Sequence, residues 1–183
     1  RAAQGLVPNG EVIEVTGDKP GATNAGLKVV SSAKAGEQSA NPVIHLTTIE
    51  NPGITKQSFA LTGRIQHKGV VGTGYIEMWS VFADGSHYFS RTLGEFGPMK
   101  SLTGDSGWRE IALPFQLSDD PQAPKPSQLI INAVLPGAGE IELSNLTLTQ
   151  AGNVASAMSP GAWWSDQAAG LVGGIGGSVA PLD

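Results

Sequence analysis

Short runs in which apolar residues fall at every second position fill the first 150 residues, and turn-forming residues separate them. Period-two alternation is the signature of a strand with one buried face. Glu11 to Thr16 (EVIEVT), Leu27 to Ser31 and Val43 to Ile49 read this way. They are closed in turn by Gly17-Asp18-Lys19-Pro20-Gly21, by a small-residue polar loop from Ala33 to Asn41, and by Asn51-Pro52-Gly53. Ser58 to Gln66 puts Phe59, Leu61 and Ile65 on one face. Trp108 to Gln116 aligns Ile111, Leu113 and Phe115 after a loop over Gly94 to Gly107, and Gln128 to Leu135 is apolar nearly throughout. In Glu140 to Thr149, Ile141 and Leu143 share one phase while Leu146 and Leu148 share the other. A bulge near Ser144-Asn145 would bring all four to the core.

The most sharply patterned stretch is Gly74 to Leu93, where two β-branched and aromatic runs flank Ala83-Asp84-Gly85-Ser86. An Asp-Gly pair between such runs predicts a hairpin with a two-residue type I′ loop. In that register Phe82 faces His87 and Trp79 faces Ser90. One face then carries Tyr75, Glu77, Trp79, Val81, Tyr88, Ser90 and Thr92; the other carries Ile76, Met78, Ser80, Phe82, His87, Phe89, Arg91 and Leu93. The second set is expected to be core, with Met78, Phe82 and Phe89 buried alongside Ile111, Leu113, Ile131 and Leu148. Arg91 on that face requires either a carboxylate partner or a bulge that shifts the pairing. The first set mixes rings with hydrogen-bonding groups. Rings stack on the apolar faces of sugars while nearby polar groups bind hydroxyls, so Tyr75, Glu77, Trp79, Tyr88 and Ser90 form the candidate ligand-binding face. The plain structural alternative is that Trp79 and Tyr75 pack beneath a loop or another subunit.

About nine strands and no amphipathic helix predict an all-β fold, an antiparallel β-sandwich of jelly-roll type. Composition agrees: 25 Gly and 12 Pro among 183 residues suit a chain rich in turns. Eleven basic and sixteen acidic residues give a net charge of −5 without charge runs, which argues against nucleic acid as a partner. There is no cysteine, hence no disulfide, thiolate metal site or cysteine nucleophile. The chain begins at Arg1 rather than Met, which reads as a processed or cut form.

Catalytic chemistry is sparsely encoded, and no enzyme is expected. Gly104-Asp105-Ser106-Gly107 copies the nucleophile tetrapeptide of chymotrypsin-like proteases, but Trp108 follows it and no base motif accompanies it; a turn before a strand is the simpler reading. His45, His67 and His87 show no zinc-ligand spacing. Glu77 and Glu110 are the pair a glycosidase would need, on no evidence beyond their residue type.

Ser106-Gly107-Trp108-Arg109-Glu110-Ile111-Ala112-Leu113-Pro114-Phe115, a Pro-rich loop, an apolar strand and then Gly139-Glu140-Ile141-Glu142-Leu143-Ser144-Asn145-Leu146-Thr147-Leu148 together resemble the second half of galactose-binding-like jelly rolls. Carbohydrate-binding modules share that fold. The resemblance covers about Ser58 to Gln150. It implies a carbohydrate or protein partner, and a structural calcium ion between the first and last strands, for which no ligand motif stands in this sequence. Tyr75 to Leu93 is also similar to bacterial envelope proteins in which such a domain precedes a Trp-Trp and Gly-rich membrane segment.

The expected organisation is a lead-in over 1–10, a sandwich over 11–150 and a Gly-rich apolar tail over 151–183. The tail holds Trp163-Trp164, as in an aromatic belt, and the GxxxG pairs Gly170/Gly174 and Gly173/Gly177. Trp163, Trp164, Leu171 and Ile175 are the candidate attachment residues, against a membrane or another copy in an oligomer. The leading expectation is therefore a non-catalytic binding module, secreted or periplasmic and anchored by its tail. The alternative is a structural subunit of a membrane-associated or cell-surface assembly.

Overall fold

The computed structural model describes residues 10–15 (as backbone), 26–31, 33 and 42–153. Tail residues Trp163, Trp164, Leu171 and Ile175, with the segment around them, lie outside the described residues.

Among the described residues eight strands follow in order: β1 (Gly10–Val15), β2 (Gly26–Ser31), β3 (Val43–Glu50), β4 (Ser58–Val81), β5 (His87–Arg91), β6 (Leu102–Gln116), β7 (Gln128–Val134) and β8 (Gly139–Ala151), with a 3-10 turn at Gly97–Met99. All the strand pairings are antiparallel. One sheet runs β1-β2-β8-β4-β6 and the other β3-β7-β4-β5, so β4 belongs to both. The expected antiparallel β-sandwich is the fold observed.

β4 is the element the sequence divides wrongly. The expectation separates Ser58–Gln66 from Gly74–Ala83 at the Gly-rich stretch between them, yet the strand is continuous over 24 residues. Gly69 and Gly72 adopt φ of +61° and +78°, and the pairing with β6 slips between Ile65 and His67, His67 and Val70, and Val70 and Gly74. Left-handed glycines at bulges bend a strand without ending it, which is how a strand turns the corner from one sheet to the next. β6 follows the bend. It begins at Leu102 rather than Trp108, with Gly104 opposite Val70, so Gly104-Asp105-Ser106-Gly107 is bulged strand and not a turn.

The core lies between the sheets. Phe59, Leu61, Ile65, Ile111, Leu113, Ile141 and Leu143 fill it from the first sheet; Ile44, Ile76, Met78, Phe82, Leu129 and Ile131 fill it from the second. Phe59 and Phe115 stack with centroids 5.3 Å apart. The expected bulge in β8 occurs: Asn145 takes φ +54°, and the pairing steps from Thr62↔Thr147 to Arg64↔Ser144. Ile141 and Leu143 are buried and Leu148 packs partly buried against the core, whereas Leu146 stays at the surface.

Candidate functional site

The hairpin between β4 and β5 decides which side chains share the outer face of the second sheet. Its loop is one residue longer than the Asp-Gly pair suggests. The Gly85 amide donates to the Phe82 carbonyl at 3.0 Å, and the Phe82 amide donates to the Ser86 carbonyl at 2.8 Å. Gly85 sits at φ +87°. This is a type I turn closed by a glycine bulge, the three-residue alternative to a two-residue loop. Asp84 fixes it: its Oδ1 accepts from the Ser86 amide at 2.9 Å and the Ser86 hydroxyl at 2.5 Å. These bonds, the hydroxyl's foremost, hold the Asp84 carboxyl below the usual carboxylate range.

One added residue inverts every assignment on β5, because side chains alternate faces. Trp79 stands opposite Phe89, Glu77 opposite Arg91 and Val81 opposite His87. Tyr88 and Ser90, expected on the ligand face, instead turn to the core. Ser90 is buried, and Tyr88 packs partly buried with its ring edge-on to Phe82 at 5.8 Å. Phe89, expected in the core, is half-buried on the outer face, and His87 joins it beside Trp79 rather than Phe82.

The corrected outer face holds Tyr75, Glu77 and Trp79 from β4, His87, Phe89 and Arg91 from β5, and Ile130 and Asn132 from β7. Trp79 is only 5% exposed. Phe89 and His87 meet it edge-on at 5.1 and 5.7 Å. Trp79 therefore offers no open ring face; it is the base on which Phe89, His87 and Arg91 rest. Glu77, 3% exposed, is held at both oxygens. Asn132 Nδ2 donates to Oε1 at 2.9 Å, and Arg91 Nε donates to Oε2 at 2.9 Å. The Arg91 guanidinium lies 3.9 Å from the Phe89 centroid, 5.3 Å from Tyr75 and 5.5 Å from Trp79. A cation among ring faces gains from their quadrupoles. Both the bulge and the carboxylate partner that Arg91 demanded are present. Burial raises the Tyr75 phenol above its ordinary pKa, with the Glu77 charge adding to it and Arg91 opposing. What remains half-open on this face is Tyr75, His87, Phe89, Arg91 and Ile130.

The outer face of the first sheet is built differently. Lys28 bonds Glu140 at 2.6 Å, Gln66 donates to Glu142 at 2.6 Å, and Arg64 lies 3.6 Å from Glu110 and 5.8 Å from the Trp108 ring centroid. Glu110 and Glu77 thus stand on opposite outer faces and cannot serve one reaction. The protease-like tetrapeptide assembles no triad. Ser106 Oγ donates to the Gly107 carbonyl at 3.0 Å, Asp105 Oδ1 accepts from the Gly69 amide at 2.6 Å, and His67 Nδ1 lies 3.0 Å from the Gly104 carbonyl. Among the described residues no cluster of three or more His, Cys, Asp or Glu could hold a metal ion. No helix of the described residues is long and apolar enough to cross a membrane.

No protein-family profile matches the chain, and no curated protein matches it in sequence. Among its structural neighbours are carbohydrate-binding modules of β-sandwich type. One, from a study of promiscuous specificity in that superfamily, is 16% identical, with a TM-score of 0.42; the match spans 77% of this chain but only 53%, about half, of the other. A second is the family 11 carbohydrate-binding module of the cellulosomal cellulase Lic26A-Cel5E of Clostridium thermocellum, 15% identical, with a TM-score of 0.38 over 78% of this chain and 82% of that one.

Proposed function

We propose that this domain is a non-catalytic module that binds carbohydrate outside the cytoplasm, on the outer face of β5-β4-β7-β3. The observation that carries this reading is the box around Arg91. A carboxylate, an amide and a guanidinium are fixed among Tyr75, Trp79 and Phe89 on a sheet face turned away from the core. A sheet face meant only for water does not need a buried carboxylate paired to a guanidinium among rings, since burying charge is costly even when the charge is paired. A platform that meets a sugar does: half-open rings of Tyr75 and Phe89 present apolar surface, and prefixed polar groups lose little entropy when hydroxyls dock. Trp79 contributes rigidity rather than contact, and Tyr88 and Ser90 contribute from the core side by fixing β5. The resemblance of Ser106–Leu148 to galactose-binding-like jelly rolls supports the same class.

A panel of neutral β- and α-linked glucan, xylan and galactan oligosaccharides, added to the labelled full chain, tests the proposal. Side-chain resonances of Tyr75, His87, Phe89 and Arg91 should shift with at least one glycan. A panel that leaves all four unmoved overturns it.

A further inference from the structure

The ion pair on the platform leaves most of Arg91 unused. Arg91 Nε donates to Glu77 Oε2, and the other oxygen of Glu77 accepts from Asn132, so the carboxylate takes a single donor from the guanidinium. Nη1 and Nη2 make no hydrogen bond among the described residues, and both are open to solvent. A guanidinium holds five N–H donors in one plane, and its Nη1–Nη2 end presents two of them side by side. That end is open while the rest of the group is fixed. Glu77 holds Nε, and the guanidinium carbon lies 3.9 Å from the Phe89 centroid and 5.3 Å from that of Tyr75.

The other arginines of the described residues lack this combination. Arg109 spends Nη2 on the Lys100 and Ser101 carbonyls, and its Nη1 is buried. Arg64 stands on the other sheet with its side chain 46% exposed, against 26% for Arg91. Beside Arg91, Asn132 is 7% exposed; its Nδ2 is committed to Glu77, and its Oδ1 is unbonded and reaches solvent. The face therefore presents a fixed twin donor and a fixed acceptor, both anchored on one carboxylate and both next to the half-open ring of Tyr75.

We propose that the glycan taken by this face is acidic, with the carboxylate of a uronic acid unit docked on the Nη1–Nη2 end of Arg91. The inference rests on the reading of this face as a glycan platform and names the class of sugar. Glu77 balances the formal charge of Arg91, so the selection lies in geometry and not in net field. Two parallel N–H groups match the two oxygens of a carboxylate, and such charge-assisted bonds are about twice as strong as bonds to neutral oxygen. A sugar hydroxyl donates to Asn132 Oδ1, and ring C–H groups lie against Tyr75. Neutral sugars occupy the same place through weaker bonds.

The test is calorimetric titration of the full chain with two series of trisaccharides, α-1,4-linked galacturonate and β-1,4-linked glucuronate. Each acid is compared with its methyl ester and its neutral parent. In at least one series the acid should bind ~10-fold or more tightly than the other two, a difference of about 1.4 kcal/mol. Arg91→Lys keeps the charge and loses the fork, and should remove that preference. The Arg91 Nη resonances of the unmodified chain should shift with the acid, a readout that needs no variant. Equal binding of acid, ester and parent in both series, with Tyr75 and Phe89 resonances moving, overturns the acidic sugar and leaves the platform standing. Tyr75 and Phe89 resonances unmoved by every member overturn both. A preference that survives in folded Arg91→Lys, or Nη resonances that stay unmoved by a bound acid, overturns the docking on Arg91.

Discussion

The two outer faces of this sandwich use charge in opposite ways. On the β5-β4-β7-β3 face a single ion pair, Glu77–Arg91, is drawn in among rings and a buried amide. On the β1-β2-β8-β4-β6 face both partners of Lys28–Glu140 are part-exposed, Arg64–Glu110 is more open still, and the strands part to leave a cavity. The same strand, β4, contributes to both. A pair whose carboxylate is buried is expensive to break and fixes geometry, whereas a pair open to water at both partners costs little to lose. The first face is a rigid platform and the second a more hydrated one.

The largest expected effect lies under the platform. Trp79→Ala removes a ring buried beneath Phe89, His87 and Arg91 and should lower stability by about 3–5 kcal/mol. Denaturant unfolding checks this; a loss within ~0.5 kcal/mol, as for an ordinary surface site, would mean Trp79 is not the base of the box. Next, Glu77→Gln leaves Arg91 without its counter-charge and should cost about 3 kcal/mol, while Glu110→Gln on the other face should cost less than ~1 kcal/mol. Equal losses in the two variants would erase the contrast between the faces.

Gly85→Ala comes third. A non-glycine residue at this left-handed φ should cost about 1–2 kcal/mol, read from the thermal midpoint, and loosen the β5 register, read from cross-strand amide contacts. The smallest effect is at Asp84. Its folded carboxyl titrates below its unfolded value, so the turn's contribution is present above the unfolded pKa and fades as pH falls through the folded one. An NMR titration of the side chain should place its midpoint below the ordinary ~3.9 for Asp. A midpoint at or above that value would remove the Ser86 bonds as the lock on the turn.

Sequence patterning locates every strand and the hairpin, because alternation and turn residues are local signals. What it cannot fix is loop length. Asp84-Gly85 suits a two-residue loop and, with Ala83, a three-residue loop equally well, and only the second lets Arg91 reach Glu77. The misfit of Arg91 on a core face was the visible sign of the wrong register. Tyr75, Glu77 and Trp79 keep their face in either register; Tyr88, Ser90, Phe89 and His87 exchange theirs. β4 reads as two strands because Gly69 and Gly72 carry the same letters whether they end a strand or bend it. The cavity is still less legible, since Gln66, Asp105 and Glu140 meet only through that bend.

The most direct test of the platform is glycan affinity in Phe89→Ala, measured by titration with whichever oligosaccharide shifts the Tyr75 and Arg91 resonances, with the backbone amide spectrum as the check on folding. Phe89 is half-open and lies against Arg91, so its removal should leave the amide spectrum dispersed and weaken binding about 10- to 100-fold, in line with the ~1–3 kcal/mol that stacking on one ring is worth. A folded Phe89→Ala that binds the glycan as tightly as the unmodified chain would contradict the assignment of this face as the binding surface.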